Sequence, residues 1–139
     1  MTENTKDLQA HLARVPVFTG LSHRQLGRLA AASRTTTHHA GHEIAREGEG
    51  ALALHIILDG TAEVSVHGKP RRELQAGDYF GEISLIDGKK RSASVSAKTT
   101  VHTLAVPHGA FQQLLETEPG FAARLLKLIC ARLREAEAD

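Results

Sequence analysis

In the stretch FGEISLIDGKKRSASV, residues 80–95, a carboxylate and a guanidinium stand nine positions apart: Glu82 and Arg91. Small residues surround them, namely Gly81, Ser84, Gly88, Ser92 and Ala93. Small side chains let backbone N–H groups come close to a ligand. A helical turn opening at Glu82-Ile83-Ser84-Leu85 would aim its exposed N–H groups at an anion. Arg91 could add a charge-assisted bond to an anionic oxygen, and Ser92 a neutral one. Glu82 would repel that same anion and serves better as the acceptor for a nearby hydroxyl. Together these groups describe a pocket for an anion with a neighbouring hydroxyl, as in a sugar phosphate. The same residues also fit an ion-paired surface turn, and their spacing leaves both readings open.

The elements that must position this stretch fall into three zones. Residues 1–33 read as helical: Leu8, His11, Leu12 and Val15 recur at helical spacing, and Ser22 stands where an N-cap would precede Gln25, Leu26, Leu29 and Ala30. Pro16 and Gly20 break the pattern between them, and Phe18 and Leu21 are the expected apolar anchors of this layer. Residues 34–107 alternate and are rich in β-branched side chains. Strands are expected at Arg34–Ala40, Glu43–Arg46, Leu52–Leu58, Thr61–His67, Arg71–Leu74, Ser92–Ala97 and Val101–Val106, with glycines between them. Such spacing predicts an antiparallel sandwich or barrel of the jelly-roll kind. Residues 108–139 return to helix, with Phe111, Leu114 and Leu115 on one face, a break at Glu118-Pro119-Gly120, and an apolar run from Phe121 to Leu133.

Length and composition fit one domain with one core: 139 residues, of which 41% are hydrophobic. A formal charge of +1 is no footprint for direct nucleic-acid binding. The single cysteine, Cys130, excludes a disulfide framework and fits a reducing compartment. The polar start MTENTKDLQAHLARV has no signal-peptide core, and no stretch reaches the length of a spanning helix, so a cytoplasmic, membrane-free protein is expected. Neither a Ser–His–Asp order nor a pair of acid–base carboxylates stands out, so no enzyme is expected. His38 and His39 would point to opposite faces of a strand, and the His-x-His pair of a cupin-like enzyme is missing, so no metal is expected. Cys130 is expected in the core or at an interface.

The run from Phe80 to Val95 resembles the phosphate-binding cassette of cyclic-nucleotide-binding domains, the family of catabolite activator protein and the regulatory subunit of cAMP-dependent protein kinase. The resemblance covers nearly the whole chain. Val15-Pro16-Val17-Phe18-Thr19-Gly20-Leu21-Ser22 is similar to the segment that leads into the family's barrel. Ala40-Gly41-His42-Glu43-Ile44 with Glu47-Gly48-Glu49 is similar to its first hairpin. Ile56-Ile57-Leu58-Asp59-Gly60 and Gly77-Asp78-Tyr79-Phe80-Gly81-Glu82 are similar to its two glycine turns.

The resemblance implies an α+β fold: an eight-stranded antiparallel jelly-roll barrel (34–107) between an N-terminal helical layer (1–33) and two C-terminal helices (108–139), all one domain. It implies a ligand, cAMP or possibly cGMP, and no cofactor or metal. Glu82 would accept from the ribose 2′-hydroxyl and Arg91 would pair with the cyclic phosphate. Gly81, Ile83, Ser84, Ser92 and Ala93 would complete the phosphate nest. Val64 and Leu74, with Ala45 nearby, would line the base or ribose side, and Arg71 or Arg72 would face the base, with Arg72 the one taken as a site residue. Lys90 stands where many members carry proline. Ser92, after the arginine, leans to cAMP. The final helix would close over the base through one of Leu125, Leu128, Ile129, Arg132, Leu133 or Arg134. Its wide apolar face also fits a homodimer, and no helix-turn-helix, kinase or channel segment follows Asp139, so an effector on another protein is expected. The rival expectations are a member that has lost its ligand and serves as a scaffold, and the sensor part of a larger transcription regulator.

Overall fold

Among the described residues eight strands pair as one long hairpin folded back on itself. In this computed structural model, which describes residues 5–49, 53–81 and 90–138, the strands are β1 (Arg34–His38), β2 (Glu43–Ala45), β3 (Ala53–Asp59), β4 (Ala62–Val66), β5 (Lys69–Leu74), β6 (Tyr79–Phe80), β7 (Ser94–Ala97) and β8 (Val101–Pro107). The antiparallel ladders nest: β1 with β8, β2 with β7, β3 with β6, β4 with β5. Winding adds β3–β8 and β4–β7, and the result is two four-stranded sheets in the orders β1-β8-β3-β6 and β2-β7-β4-β5. This is the jelly-roll form of an α+β fold. Among the described residues no ladder joins the two sheets, so they face one another as a sandwich and do not close into the expected barrel.

Two turns show why glycine stands where it does. The β4–β5 hairpin turns on His67 and Gly68, both with positive φ (53° and 78°), the conformation of a two-residue type I′ turn. Gly60, at φ 90°, lies so close to the β7–β8 turn that a Cβ would stand 2.3 Å from the Thr100 carbonyl oxygen.

Four helices among the described residues pack on the outer face of the first sheet. They are α1 (Thr5–Ala13), α2 (His23–Ala32), α3 (His108–Thr117) and α4 (Pro119–Ala138), with a 3-10 turn at Pro16–Phe18. Helix α2 starts on a capping box: Gln25 N–H donates to Ser22 Oγ (3.1 Å) and Ser22 N–H to Gln25 Oε1 (2.7 Å). The same Gln25 amide donates to Glu118 at the α3–α4 corner. Pro119 opens α4, where a missing N–H costs nothing.

Alternation along β3 and β8 divides the apolar residues into two clusters. Leu54, Ile56, Leu104 and Val106 face the helices and meet Leu12, Phe18, Phe111, Phe121 and Leu125. Ile57 and Val101 face the second sheet and meet Ala45, Ala62, Val64, Leu74, Phe80, Val95 and Ala97. Cys130 is exposed, which corrects the expectation of a core position; helical spacing turns it away from the Phe121–Leu125 stripe. Leu126 and Leu133 are exposed too. Among the described residues no helix is long and apolar enough to cross a membrane.

Candidate functional site

The first half of the cassette, Glu82 to Lys89, lies outside the described residues, and so do the expected roles of Glu82, Ile83 and Ser84. Both flanks are described. On the N-terminal side, the turn at Gln75–Asp78 is clipped to β3: Gly77 N–H donates to the Ile57 carbonyl (2.9 Å) and Ile57 N–H to the Asp78 carbonyl (2.8 Å). Asp78 also accepts from Gln75 N–H at 2.8 Å. These bonds lay Tyr79 and Phe80 against Ile56 and His55 as β6. Gly81 follows with φ 99°, and a Cβ there would stand 2.9 Å from the Ala53 carbonyl oxygen and 3.3 Å from Arg91 Nη1. Only glycine lets this backbone turn while the guanidinium lies against it.

On the C-terminal side, Arg91 is held by its backbone. Its N–H donates to the Glu49 carbonyl (2.8 Å), and its carbonyl accepts from Gly48 N–H (2.9 Å). Glu47 N–H donates to Ser94 Oγ at 2.9 Å, so the loop after β2 straps the start of β7. The guanidinium is half-buried. Burial pulls its pKa below the usual arginine range, and Glu49 acts against that shift. Among the described residues Arg91 forms no ion pair within 4.0 Å. A half-buried cation beside a glycine backbone is suited to holding an anion by charge-assisted hydrogen bonds. Ser92 and Lys90 are exposed, and Ala93 packs on the inner cluster.

The other expected residues come together on one wall. Val64 pairs with Val95 and Arg72, and Ala62 with Leu74. Residues opposite one another in a ladder share a face, so Arg72 stands on the inward face with Val64 and Leu74, and Arg71 stands on the other. Ala45 belongs to the same inner cluster. Arg72 is exposed, at the edge strand of its sheet. On α4, the Arg132 guanidinium carbon lies 4.6 Å from the ring centroid of Tyr79, a cation–π contact that ties the final helix to the strand leading into the cassette.

Sequence reasoning passed over His55. It lies on the inward phase of β3, its ring stacked on Phe80 with centroids 4.9 Å apart and planes 12° apart. Burial first, then the charges of Arg91 and His38, lower its pKa to about 4. The available signal was one titratable residue inside the apolar run Leu52–Leu58. Nearby, Thr103 is fully buried and bonded through its hydroxyl to Thr36 (2.6 Å), which bonds to His38 Nε2 at 3.0 Å. Burial, and then His42, lower the pKa of His38.

A two-sheet jelly roll carries helices from both chain ends on one face and a glycine-backed arginine at its inner edge. The chain belongs to the cyclic nucleotide-binding domain family, whose profile matches residues 35–118. It is 36% identical over 109 residues to a cAMP-dependent protein kinase regulatory subunit of Emericella nidulans, covering 77% of this chain and 26% of that relative. It thus spans about a quarter of that relative's length. The regulatory domain of Toxoplasma gondii protein kinase A, solved with cAMP, superposes with a TM-score of 0.80 at 27% identity, covering 92% of this chain and 50% of that one. The regulatory subunit of a cAMP-independent protein kinase A from Trypanosoma brucei superposes with a TM-score of 0.78 at 28% identity, covering 90% of this chain and 45% of that one.

Proposed function

We propose that the chain is a non-catalytic sensor module that binds a cyclic nucleotide, cAMP in preference to cGMP, and closes its final helix on the ligand. The observation that carries this reading is the half-buried Arg91 guanidinium seated against the Cβ-free backbone of Gly81. In this reading Arg91 holds the cyclic phosphate, and Gly81, Ile83, Ser84, Ser92 and Ala93 complete its nest. Glu82 accepts from the ribose 2′-hydroxyl. Val64, Leu74 and the inward Arg72 line the sugar and base. A bond between charged groups of this kind contributes roughly 1.5–3 kcal/mol net. A ligand shifts an equilibrium only by its difference in affinity for the two states, and the Arg91–phosphate pair is the proposed source of that difference. The Arg132–Tyr79 contact makes Arg132 the favoured link between α4 and the cassette. Exposed Leu126 and Leu133 support a homodimer through α4, with an effector on another polypeptide or segment as the output.

The Trypanosoma structure, from a cAMP-independent protein kinase A, favours one second reading, a family member that does not answer to cAMP; such a member would serve as a scaffold. Calorimetric titration with cAMP and with cGMP separates the two. Binding, tighter for cAMP, is the expected result. No heat with either nucleotide at high micromolar concentration sinks the sensor reading.

A further inference from the structure

Between the sheets, among the described residues, one ring nitrogen is used neither by the packing nor by the ladders. His55 Nδ1 is buried and, among the described residues, has no hydrogen-bond partner. A polar atom kept in that state weakens the free fold, a cost that a second state pairing the atom would recover. The groups around it are few. Arg91, from the loop ahead of β7, acts on it with a positive charge, and so does His38 of β1. Phe80 on β6 brings a ring and no charge. On β8 the ladder neighbour is Ala105, Thr103 is neutral and bonded to Thr36, and His102 is held by Asp59 at 2.6 Å. On the facing sheet the inward Ala62, Val64, Leu74, Val95 and Ala97 are apolar, and the inward Arg72, exposed on the edge strand, brings a further positive charge. Glu49 acts on Arg91. Glu82 lies outside the described residues.

We infer that His55 is a proton-accepting member of the phosphate site: when an anionic cyclic phosphate settles on Arg91, the imidazole takes one proton from solvent at its bare ring nitrogen and becomes a second cation for the same anion. This rests on the cyclic-nucleotide reading. In the free protein the imidazole is neutral at pH 7, because burial, and after it the positive charge of Arg91, disfavour its cation. The ligand's negative charge offsets the field of Arg91, and the buried Nδ1 gains a partner. Linkage is reciprocal, so a ligand that favours the protonated ring binds more tightly when protons are plentiful. Affinity therefore rises as pH falls, by at most about tenfold per pH unit for one linked proton.

The test is calorimetric titration of the full chain with cAMP and cGMP between pH 5 and pH 8, in buffers of different ionisation heat, for the wild type, His55→Phe and His38→Gln. The wild type is expected to take up a proton on binding and to bind about tenfold more tightly at the acid end. His55→Phe keeps the ring stack on Phe80 and is expected to bind with no pH slope, while His38→Gln keeps the slope. In the unsubstituted protein, an NMR titration of the His55 ring should show its pKa rising when nucleotide is added. Binding that is flat across this range, a slope that survives in His55→Phe, or a ring pKa that the nucleotide leaves unmoved overturns the role of His55 and leaves the sensor reading standing. No binding of either nucleotide at any pH overturns both.

Discussion

The two faces of the sheet β1-β8-β3-β6 are packed with different stock. On the outer face, Phe18, Phe111 and Phe121 interlock, with ring centroids 5.9 and 5.5 Å apart, among leucines and valines. On the inner face the cluster is mostly alanine and valine around one aromatic ring, Phe80, and its edge carries Thr103, His55 and Arg91. Large interlocking rings hold helices to a sheet. Small side chains leave room, and polar groups at the margin of that room cost stability unless something binds them. One sheet thus separates a layer that secures the fold from a layer that, in the proposed reading, receives the ligand.

Truncating the outer layer should hurt stability most. Phe121→Ala empties a fully buried ring position and is expected to lower unfolding free energy by about 3–5 kcal/mol, read by urea titration, with nucleotide affinity unchanged wherever the variant is folded. Equal losses in stability and affinity would dissolve the distinction between the layers.

Acid comes next and acts on the inner layer. The folded pKa of His55, about 4, lies below the unfolded value of 6.5, so the unfolded chain binds more protons between those values. The contribution is complete above pH 6.5 and is lost as pH falls toward 4, by about 3 kcal/mol in all. His55→Phe should remove that part of the acid sensitivity in ligand-free denaturation curves. An unchanged pH profile would show that the ring is not buried neutral.

Arg91→Ala should have the smallest effect on stability and the clearest effect on binding. It is expected to weaken cAMP binding by more than tenfold, about 1.4 kcal/mol, while the unfolding free energy stays within about 1 kcal/mol of wild type. Unchanged affinity would show that the cassette assignment is wrong.

Much of this contrast was legible in the residues. Alternation and glycine punctuation marked seven of the strands among the described residues, because a half-buried strand leaves a period of two. β6 escaped because Tyr79 and Phe80 are too few to show a period. The choice between Arg71 and Arg72 needed the β4–β5 register, which shifts between Val64 and Ser65 in a way no propensity foretells. His55 left no pattern, since one polar residue in an apolar run is silent until its neighbours are known. The core alternative for Cys130 failed because the apolar content of α4 does not say which side of the helix meets the sheet.

The nested ladders also order the fold in time. The innermost pair, Val66 with Lys69, closes across the His67-Gly68 turn, whereas the outermost joins Arg34 to Ala105. Loop-closure entropy makes the inner hairpin the cheapest place to begin, and long-range ladders form later and slowly. His67 adopts a positive φ that asparagine accepts more readily. His67→Asn is therefore expected to speed refolding by about twofold and leave unfolding nearly unchanged in stopped-flow measurements. A change confined to the unfolding rate would place the start of folding elsewhere.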